Sequence, residues 1–157
     1  MLLKDIFITE RINVDLESED KDEVFEELVE CLVASYEIDE RDEILESIRL
    51  REEKMSTGIK TGIALPHGKT DKVKGIHGAI GISKNGIDYD ALDGKPVHLL
   101  FLLVSSEEDV EQHLRTLKKI SQILEMPDFY TEIVQAEKPE IAYRALKKFE
   151  EILEHDD

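Results

Sequence analysis

Residues 62–104 read GIALPHGKTDKVKGIHGAIGISKNGIDYDALDGKPVHLLFLLV, and this stretch predicts the central sheet of the protein. All eight glycines of the chain fall between residues 58 and 94, where they separate short apolar segments. Apolar segments of this length, bounded by glycine, proline and aspartate, are typical of buried strands. Strands are therefore predicted at residues 63–65, 76–82 and 97–104.

Both flanks of this stretch show the apolar spacing of amphipathic helices. Helix starts are predicted at Asp20, Asp39, Ser105 and Pro139. The third of these helices carries its apolar residues in one stripe, and His113 lies beside that stripe. The stripe consists of Val110, Leu114, Leu117, Ile120 with Ser121, and Leu124. Strands between helical flanks predict an α/β sandwich.

The composition predicts one domain, residues 1–157, and excludes several classes of partner. A chain of 157 residues with 41% hydrophobic content can bury one sizeable core. Its net charge of −17 disfavours nucleic acid and anionic lipid as partners. The longest apolar run is far shorter than the roughly 20 residues of a membrane helix, so no direct membrane insertion is expected. The N-terminus lacks the features of a signal peptide, which indicates a cytoplasmic protein.

The central stretch also presents a candidate nucleophile, His67. Pro66 restrains the preceding residue to extended geometry. Gly62 and Gly68 allow a sharp bend and bring backbone amides close to a bound anion. The pattern therefore predicts a turn that displays the imidazole to a phosphoryl group, because a neutral imidazole can form a covalent phosphohistidine. A turn histidine without a chemical task is the alternative.

These residues resemble the enzyme IIA proteins of the bacterial sugar phosphotransferase system, fructose/mannitol class, which includes the nitrogen-regulatory branch. The matching pattern is Arg51, the Ser-Thr-Gly of residues 56–58, and GIALPH at residues 62–67. A second block, NGIDYDALDGKPVHLLFLLVSSEEDVEQHLRTLKKIS at residues 85–121, extends the likeness over most of the chain. The resemblance implies a mixed, mostly parallel sheet flanked by helices on both faces, which is a three-layer sandwich.

The resemblance implies that His67 carries the phosphoryl group and that Arg51 stabilises it. The planar fork of arginine suits phosphate, although a cation near a helix end can also merely cap the helix. His113 matches a family histidine that orients the imidazole or bonds to the phosphate, while a histidine beside an apolar stripe can equally be a core residue. Further phosphate contacts are predicted from Ser56, Thr57, Gly58 and Gly68. A purely turn-forming role is the alternative for Ser56 and Thr57.

Lys60 departs from the family pattern, in which glycine is common at that position, and predicts either a stiffer turn or an added positive charge near the phosphate.

The Gly-Lys-Thr of residues 68–70 resembles the end of a nucleotide-binding loop. However, Ile63 stands where that loop needs glycine, so ATP is not expected. The histidines and the lone cysteine show no zinc-binding spacing, so no metal or other cofactor is predicted.

Two functions remain open. In the first, His67 accepts a phosphoryl group from the general phosphocarrier protein HPr, or a paralogue, and passes it to an enzyme IIB of a fructose/mannitol-type transporter. In the second, phosphorylation of the same histidine controls binding to regulatory proteins. Lys69 and the run at residues 86–101 favour the nitrogen-regulatory branch. Both functions predict a shallow apolar docking face around His67, and its nearest apolar residues in the sequence are Ile59, Ile63 and Leu65.

Overall fold

The computed structural model describes residues 1–36, 38–58 and 60–155. Its strands are β1 (Ile12–Asn13), β2 (Ile63–Ala64), β3 (His67–Lys69), β4 (Ile76–Ile87) and β5 (Val97–Ser105). Its helices are α1 (Leu3–Ile6), α2 (Lys21–Tyr36), α3 (Arg41–Lys54), α4 (Val110–Leu124), α5 (Phe129–Val134) and α6 (Pro139–His155). Short 3-10 turns at Thr9–Arg11 and Glu107–Asp109 precede β1 and α4. Within these ranges, no helix is long and apolar enough to cross a bilayer.

The sheet is built around β5, which pairs on both of its sides. On one side β5 runs antiparallel to β4, and β4 is parallel to β1. On the other side β5 is parallel to β2 and to β3. Three of these four pairings are parallel, which confirms the mixed, mostly parallel sheet. The longest pairing is nevertheless the antiparallel one between β4 and β5.

β2 and β3 form one interrupted edge strand, because both keep the same register on β5. Ile63 lies opposite Leu99 and His67 opposite Leu103. The interruption coincides with Pro66, which has no N–H to donate but still accepts a hydrogen bond from the Leu103 amide at 3.0 Å. His67 therefore lies in an extended edge strand, and the prediction that it occupies a turn is wrong.

The two predicted turn glycines have different roles. Gly62 has a φ of +78°, a left-handed conformation that favours glycine, so a bend does occur there. Gly68 is part of β3 and does not bend the chain. A Cβ at Gly68 would lie 2.5 Å from Ser47 Oγ and 2.8 Å from the Ser47 carbonyl carbon. Gly68 is therefore required for the close approach of α3 to the edge strand.

Two hydrophobic cores lie on opposite faces of the sheet, which confirms the three-layer sandwich. Alternate residues of β5 point to opposite faces, so Leu99, Phe101 and Leu103 join one core. The intervening Leu100, Leu102 and Val104 join the other. The first core contains buried residues of α1, α4, α5 and α6, and the second those of α2 and α3. A strand buried on both faces explains the continuous apolar run in the sequence.

The helix starts are close to the predicted ones except at Ser105. Asp20 caps α2, since its carboxylate accepts a hydrogen bond from the Glu23 amide at 2.9 Å. Ser105, by contrast, is the fully buried last residue of β5, and α4 begins only at Val110. The predicted start at Ser105 is wrong because its backbone continues the sheet, where its carbonyl accepts a hydrogen bond from the Thr70 amide at 3.0 Å.

The face of α4 that packs on the sheet also differs from the prediction. Val110 and Leu114, which belong to the apolar stripe, are 39% and 59% exposed. The buried face instead consists of His113, Thr116, Ile120, Ile123 and Leu124. The stripe is misassigned in its first half because the first turns of α4 lie beside a cleft, where apolar residues stay exposed.

Candidate functional site

A cleft of about 750 Å³ opens at the edge of the sheet. It is lined by β3, by one side of α3 and by the first turns of α4. These two helices belong to opposite layers of the sandwich, and they meet here because β3 is the edge strand. The side chains that line the cleft include those of Arg51, His67, Lys69 and His113.

His67 is held in one tautomer by a backbone contact. Its Nδ1 lies 2.7 Å from the carbonyl oxygen of Leu65. A carbonyl oxygen only accepts hydrogen bonds, so Nδ1 carries the proton and Nε2 retains its lone pair. Burial lowers the pKa of His67, and the positive charges of Arg51 and Lys69 lower it further, against the opposing effects of the Leu65 bond and of Glu52. The imidazole is therefore neutral at pH 7, with its lone pair on Nε2.

His113 lies next to His67, with the ring centroids 5.5 Å apart. Only 1% of its surface is exposed. Its Nδ1 lies 2.6 Å from the Ser105 hydroxyl, whereas its Nε2 is buried and has no hydrogen-bond partner among the described residues. Burial lowers the pKa of His113 to about 4, with further contributions from His67 and Lys69. The structure thus brings together the two histidines that the resemblance singled out.

Arg51 reaches the same cleft from the last turn of α3. Its Nη1 also donates a hydrogen bond to the Met55 carbonyl at 2.9 Å. Arg51 therefore also caps the C-terminal end of α3, as the alternative interpretation predicted. Arg49 is directed elsewhere and pairs with Asp22 at 3.6 Å and Glu26 at 3.4 Å. Of the two neighbouring arginines, Arg51 is therefore the one placed to contact an anion beside His67.

The turn at residues 56–58 does not line the cleft. Thr57 is 4% exposed, and its amide and hydroxyl both donate to the Glu52 carboxylate, at 2.8 and 2.5 Å. The Ser56 hydroxyl accepts a hydrogen bond from the Gly58 amide at 3.1 Å. This geometry matches the turn-forming alternative. Phosphate binding by Ser56, Thr57 and Gly58 stays a prediction that these contacts do not support.

Comparison with known families shows which family this chain belongs to. Residues 5–149 match the family described as "Phosphoenolpyruvate-dependent sugar phosphotransferase system, EIIA 2". The chain belongs to this family. EIIA domains are phosphotransfer components of that system, which agrees with a neutral, unprotonated Nε2 displayed in an open cleft.

Proteins similar to this EIIA chain include a fructose-specific transport component and nitrogen regulatory proteins. The chain is 35% identical over 137 residues to the "PTS system fructose-specific EIIABC component" of Bacillus subtilis, and this match covers 87% of the chain but only 22% of the relative. It is 30% identical to a "Nitrogen regulatory protein" of Pseudomonas aeruginosa, with 90% of this chain and 92% of the relative covered. The crystal structure of the nitrogen regulatory protein IIA-Ntr from Neisseria meningitidis superposes with a TM-score of 0.83 at 28% identity, covering 92% of this chain and 98% of the other.

Sequence reasoning about this EIIA protein missed a buried polar network beneath the cleft. Glu52 accepts the two bonds from Thr57, lies 3.1 Å from the Lys21 ammonium, and accepts a hydrogen bond from the Tyr89 hydroxyl at 3.3 Å. Burial acts to raise the pKa of Glu52, but the Thr57 bonds and Lys21 prevail and lower it. Burial raises the pKa of Tyr89, and the Glu52 charge raises it further. No local sequence signal identifies this network, because its members come from separate elements.

The sequence also did not predict which charged residues line the cleft. Its lining includes Arg51, Lys54, Lys69 and Lys72 together with four acidic residues, so it is far less negative than a chain of net charge −17. The position of Lys69 in the cleft was predictable from the sequence, because residues two apart on a strand face the same side and Lys69 follows His67 by two. Lys60 contributes nothing to this charge. It is outside the lining, and its ammonium lies 3.9 Å from Glu125.

Proposed function

We propose that this EIIA protein is a cytoplasmic phosphocarrier that accepts a phosphoryl group on Nε2 of His67. The donor is phosphorylated HPr or a paralogue, and the acceptor is an enzyme IIB of a fructose/mannitol-type transporter. The observation that carries this proposal is the 2.7 Å contact between His67 Nδ1 and the Leu65 carbonyl, which leaves Nε2 unprotonated in the cleft. Support for the acceptor comes from the Bacillus subtilis relative, whose name joins A, B and C components.

The transfer step is balanced without a cofactor. The Nε2 lone pair of His67 attacks phosphorus, the P–N bond to the donor histidine breaks, and its electron pair returns to the donor ring. Phospho-His67 then carries the phosphoryl group on Nε2 and keeps the Nδ1 proton that bonds to Leu65. In the onward transfer the His67 ring leaves as a neutral imidazole, which makes it a good leaving group.

Arg51 and His113 stabilise the group in transit. Phosphoryl transfer depends on positioning and on positive charge around the three equatorial oxygens. Arg51 supplies a permanent charge from α3. His113, on the opposite side of the edge strand, has a buried Nε2 without a partner among the described residues. A phosphoryl oxygen would accept a hydrogen bond from this nitrogen when the nitrogen carries a proton. Gly68 assists by allowing α3 to approach β3.

The docking face for the donor is formed by the two helices that flank the cleft. Leu50 of α3 and Leu114 of α4 are 53% and 59% exposed, and both line the cleft. They present apolar surface where a protein donor must align its own histidine with His67. Ile63 is buried in the core instead, so it is not part of this face. Ile59 lies outside the described residues.

The second candidate is a regulatory role in which phosphorylation of His67 changes affinity for regulatory proteins. Support for it comes from the Pseudomonas aeruginosa relative named a nitrogen regulatory protein, which is 30% identical to this chain over 142 residues. The site chemistry of the two candidates is the same. They differ only in what receives the phosphoryl group or senses it.

The test is incubation with enzyme I, HPr and phosphoenolpyruvate, followed by intact mass measurement of the wild type and of His67→Ala. One acid-labile, base-stable phosphoryl group is expected on the wild type alone. An unmodified wild type in a reaction where HPr itself is phosphorylated contradicts the proposal for that donor. Loss of the label to an added fructose- or mannitol-type IIB domain supports transport. A retained label together with altered affinity for a regulatory protein supports the second candidate.

A further inference from the structure

The imidazole of His113 makes one hydrogen bond through Nδ1 and none through Nε2. Its Nδ1 partner is the Ser105 hydroxyl at 2.6 Å, and both residues are buried, Ser105 completely. Among the described residues, the imidazole is also the only hydrogen-bond partner of this hydroxyl. Ser105 ends β5 and lies opposite Lys69 in the register of the sheet, so it sits directly behind the cleft.

The direction of this hydrogen bond follows from counting buried groups without partners. If Nδ1 donated to the hydroxyl, the hydroxyl hydrogen would be buried without an acceptor, and Nε2 would be a buried lone pair without a donor. If the hydroxyl donates to Nδ1, the hydroxyl is satisfied and only the Nε2 hydrogen lacks a partner. Each unsatisfied buried group costs free energy, so the second arrangement is the more stable one.

We propose that Ser105 is a positioning residue that holds His113 as the Nε2–H tautomer, so that Nε2 donates to a phosphoryl oxygen of phospho-His67. The inference rests on the proposed phosphocarrier function. Phosphoryl oxygens only accept hydrogen bonds, so a bare Nε2 lone pair would repel them. The one group of the Ser105–His113 pair that this arrangement leaves without a partner, the Nε2 hydrogen, is therefore the donor that the phosphoryl group requires.

The two histidines then have opposite tautomers, each set by the partner of its Nδ1. The Leu65 carbonyl accepts from Nδ1 of His67, which leaves a lone pair on Nε2. The Ser105 hydroxyl donates to Nδ1 of His113, which places a hydrogen on Nε2. Because burial lowers the pKa of His113 to about 4, the ring is neutral at pH 7. Its tautomer therefore determines whether it donates.

The tautomer can be measured independently of phosphoryl transfer. Long-range 1H–15N correlation spectra of the unphosphorylated protein, labelled with 15N-histidine at pH 7, distinguish the protonated ring nitrogen, and His113→Gln assigns the signals. The wild type is expected to show His113 protonated at Nε2. Ser105→Ala is expected to lose this preference and to slow phosphorylation of His67 about tenfold, the effect of one hydrogen bond. Ser105→Thr, which keeps the hydroxyl, is expected to retain both properties.

Thr116→Val is the matched control. It also removes a buried hydroxyl, one that lies on α4 and, among the described residues, bonds only to the Gln112 carbonyl of the same helix at 2.8 Å. It is expected to change neither the tautomer nor the rate. A wild-type His113 protonated at Nδ1 overturns the proposal, and so does an unchanged tautomer and rate in a folded Ser105→Ala. If the wild type shows the Nε2–H tautomer but accepts no phosphoryl group, the phosphocarrier function fails while the tautomer assignment stands.

Discussion

The carbonyl oxygen of Leu65 lies 2.7 Å from Nδ1 of His67, two residues further along the chain. This contact occupies one ring nitrogen and selects the other for chemistry. Phosphorylated protein is therefore expected to carry the group on Nε2 of His67. The 31P and 15N spectra of the phosphorylated, 15N-labelled protein distinguish the two isomers. Phosphorus bonded to Nδ1 would show that the Leu65 contact does not direct the reaction.

The rate of phosphorylation is expected to depend on pH through the lowered pKa of His67. Only the neutral imidazole attacks, and it predominates above the pKa of the folded protein. The midpoint of the decrease in rate on acidification should therefore lie below about 6.5, the ordinary pKa of histidine. Single-turnover rates with phosphorylated HPr, measured from pH 8 to pH 5, test this expectation.

The control for the pH profile is Lys69→Met. Removing a positive charge beside the imidazole raises the pKa of His67, so the decrease should begin at a higher pH than in the wild type. Titration of the donor histidine is common to both proteins and cancels in the comparison. Identical inflection points would mean that the charge of Lys69 does not act on His67.

Arg51→Lys is expected to slow phosphorylation of His67 by roughly 10- to 100-fold, because lysine keeps the charge but loses the planar fork that binds two phosphate oxygens. Arg49→Lys is the matched control, since Arg49 lies two residues away and pairs with Asp22 and Glu26 outside the cleft. Single-turnover rates of the two variants provide the comparison. Equal rates in both would assign Arg51 to helix capping alone.

Glu52→Ala is expected to lower the free energy of unfolding by about 2–4 kcal/mol, because it leaves the buried Thr57 amide and hydroxyl without an acceptor and Lys21 without its counter-ion. Urea unfolding measures the difference. The neighbouring Glu53→Ala changes an exposed side chain and should stay within about 0.5 kcal/mol of the wild type. A similar small effect at Glu52 would mean that the network does not stabilise the fold.

Gly68→Ala is expected to destabilise the protein by about 1–3 kcal/mol and to slow phosphorylation, because the new methyl group meets the Ser47 backbone and pushes α3 away from β3. Gly94→Asn is a suitable control. Gly94, unlike Gly68, has a left-handed φ of +71°, which asparagine tolerates, and no atom lies within 4 Å of its Cβ position. Thermal unfolding and the labelling rate should both separate the two variants.

Much of the fold was predictable because the pattern that encodes it is local. Apart from His98, the run from Val97 to Val104 is apolar on both faces of β5, which indicates a strand covered by two layers, and the structure has that arrangement. The helix cap at Asp20 was also predictable, because the Asp20 carboxylate and the Glu23 amide that form it are only three residues apart. Ser105 misled the prediction because a serine before an acidic segment resembles a helix cap, while its backbone belongs to the sheet.

The sequence by itself determined the helical flanks, the strands β2, β4 and β5, and the candidate nucleophile, since each depends on residues a few positions apart. Only the tertiary structure decided which face of α4 is buried, that Thr57 bonds to Glu52, and that His67 and His113 lie 5.5 Å apart. It also selected the free nitrogen of each ring. The distance between His67 and His113 is set by packing, because α4 meets the edge strand there, and no local pattern encodes the contact of residues so remote in the chain.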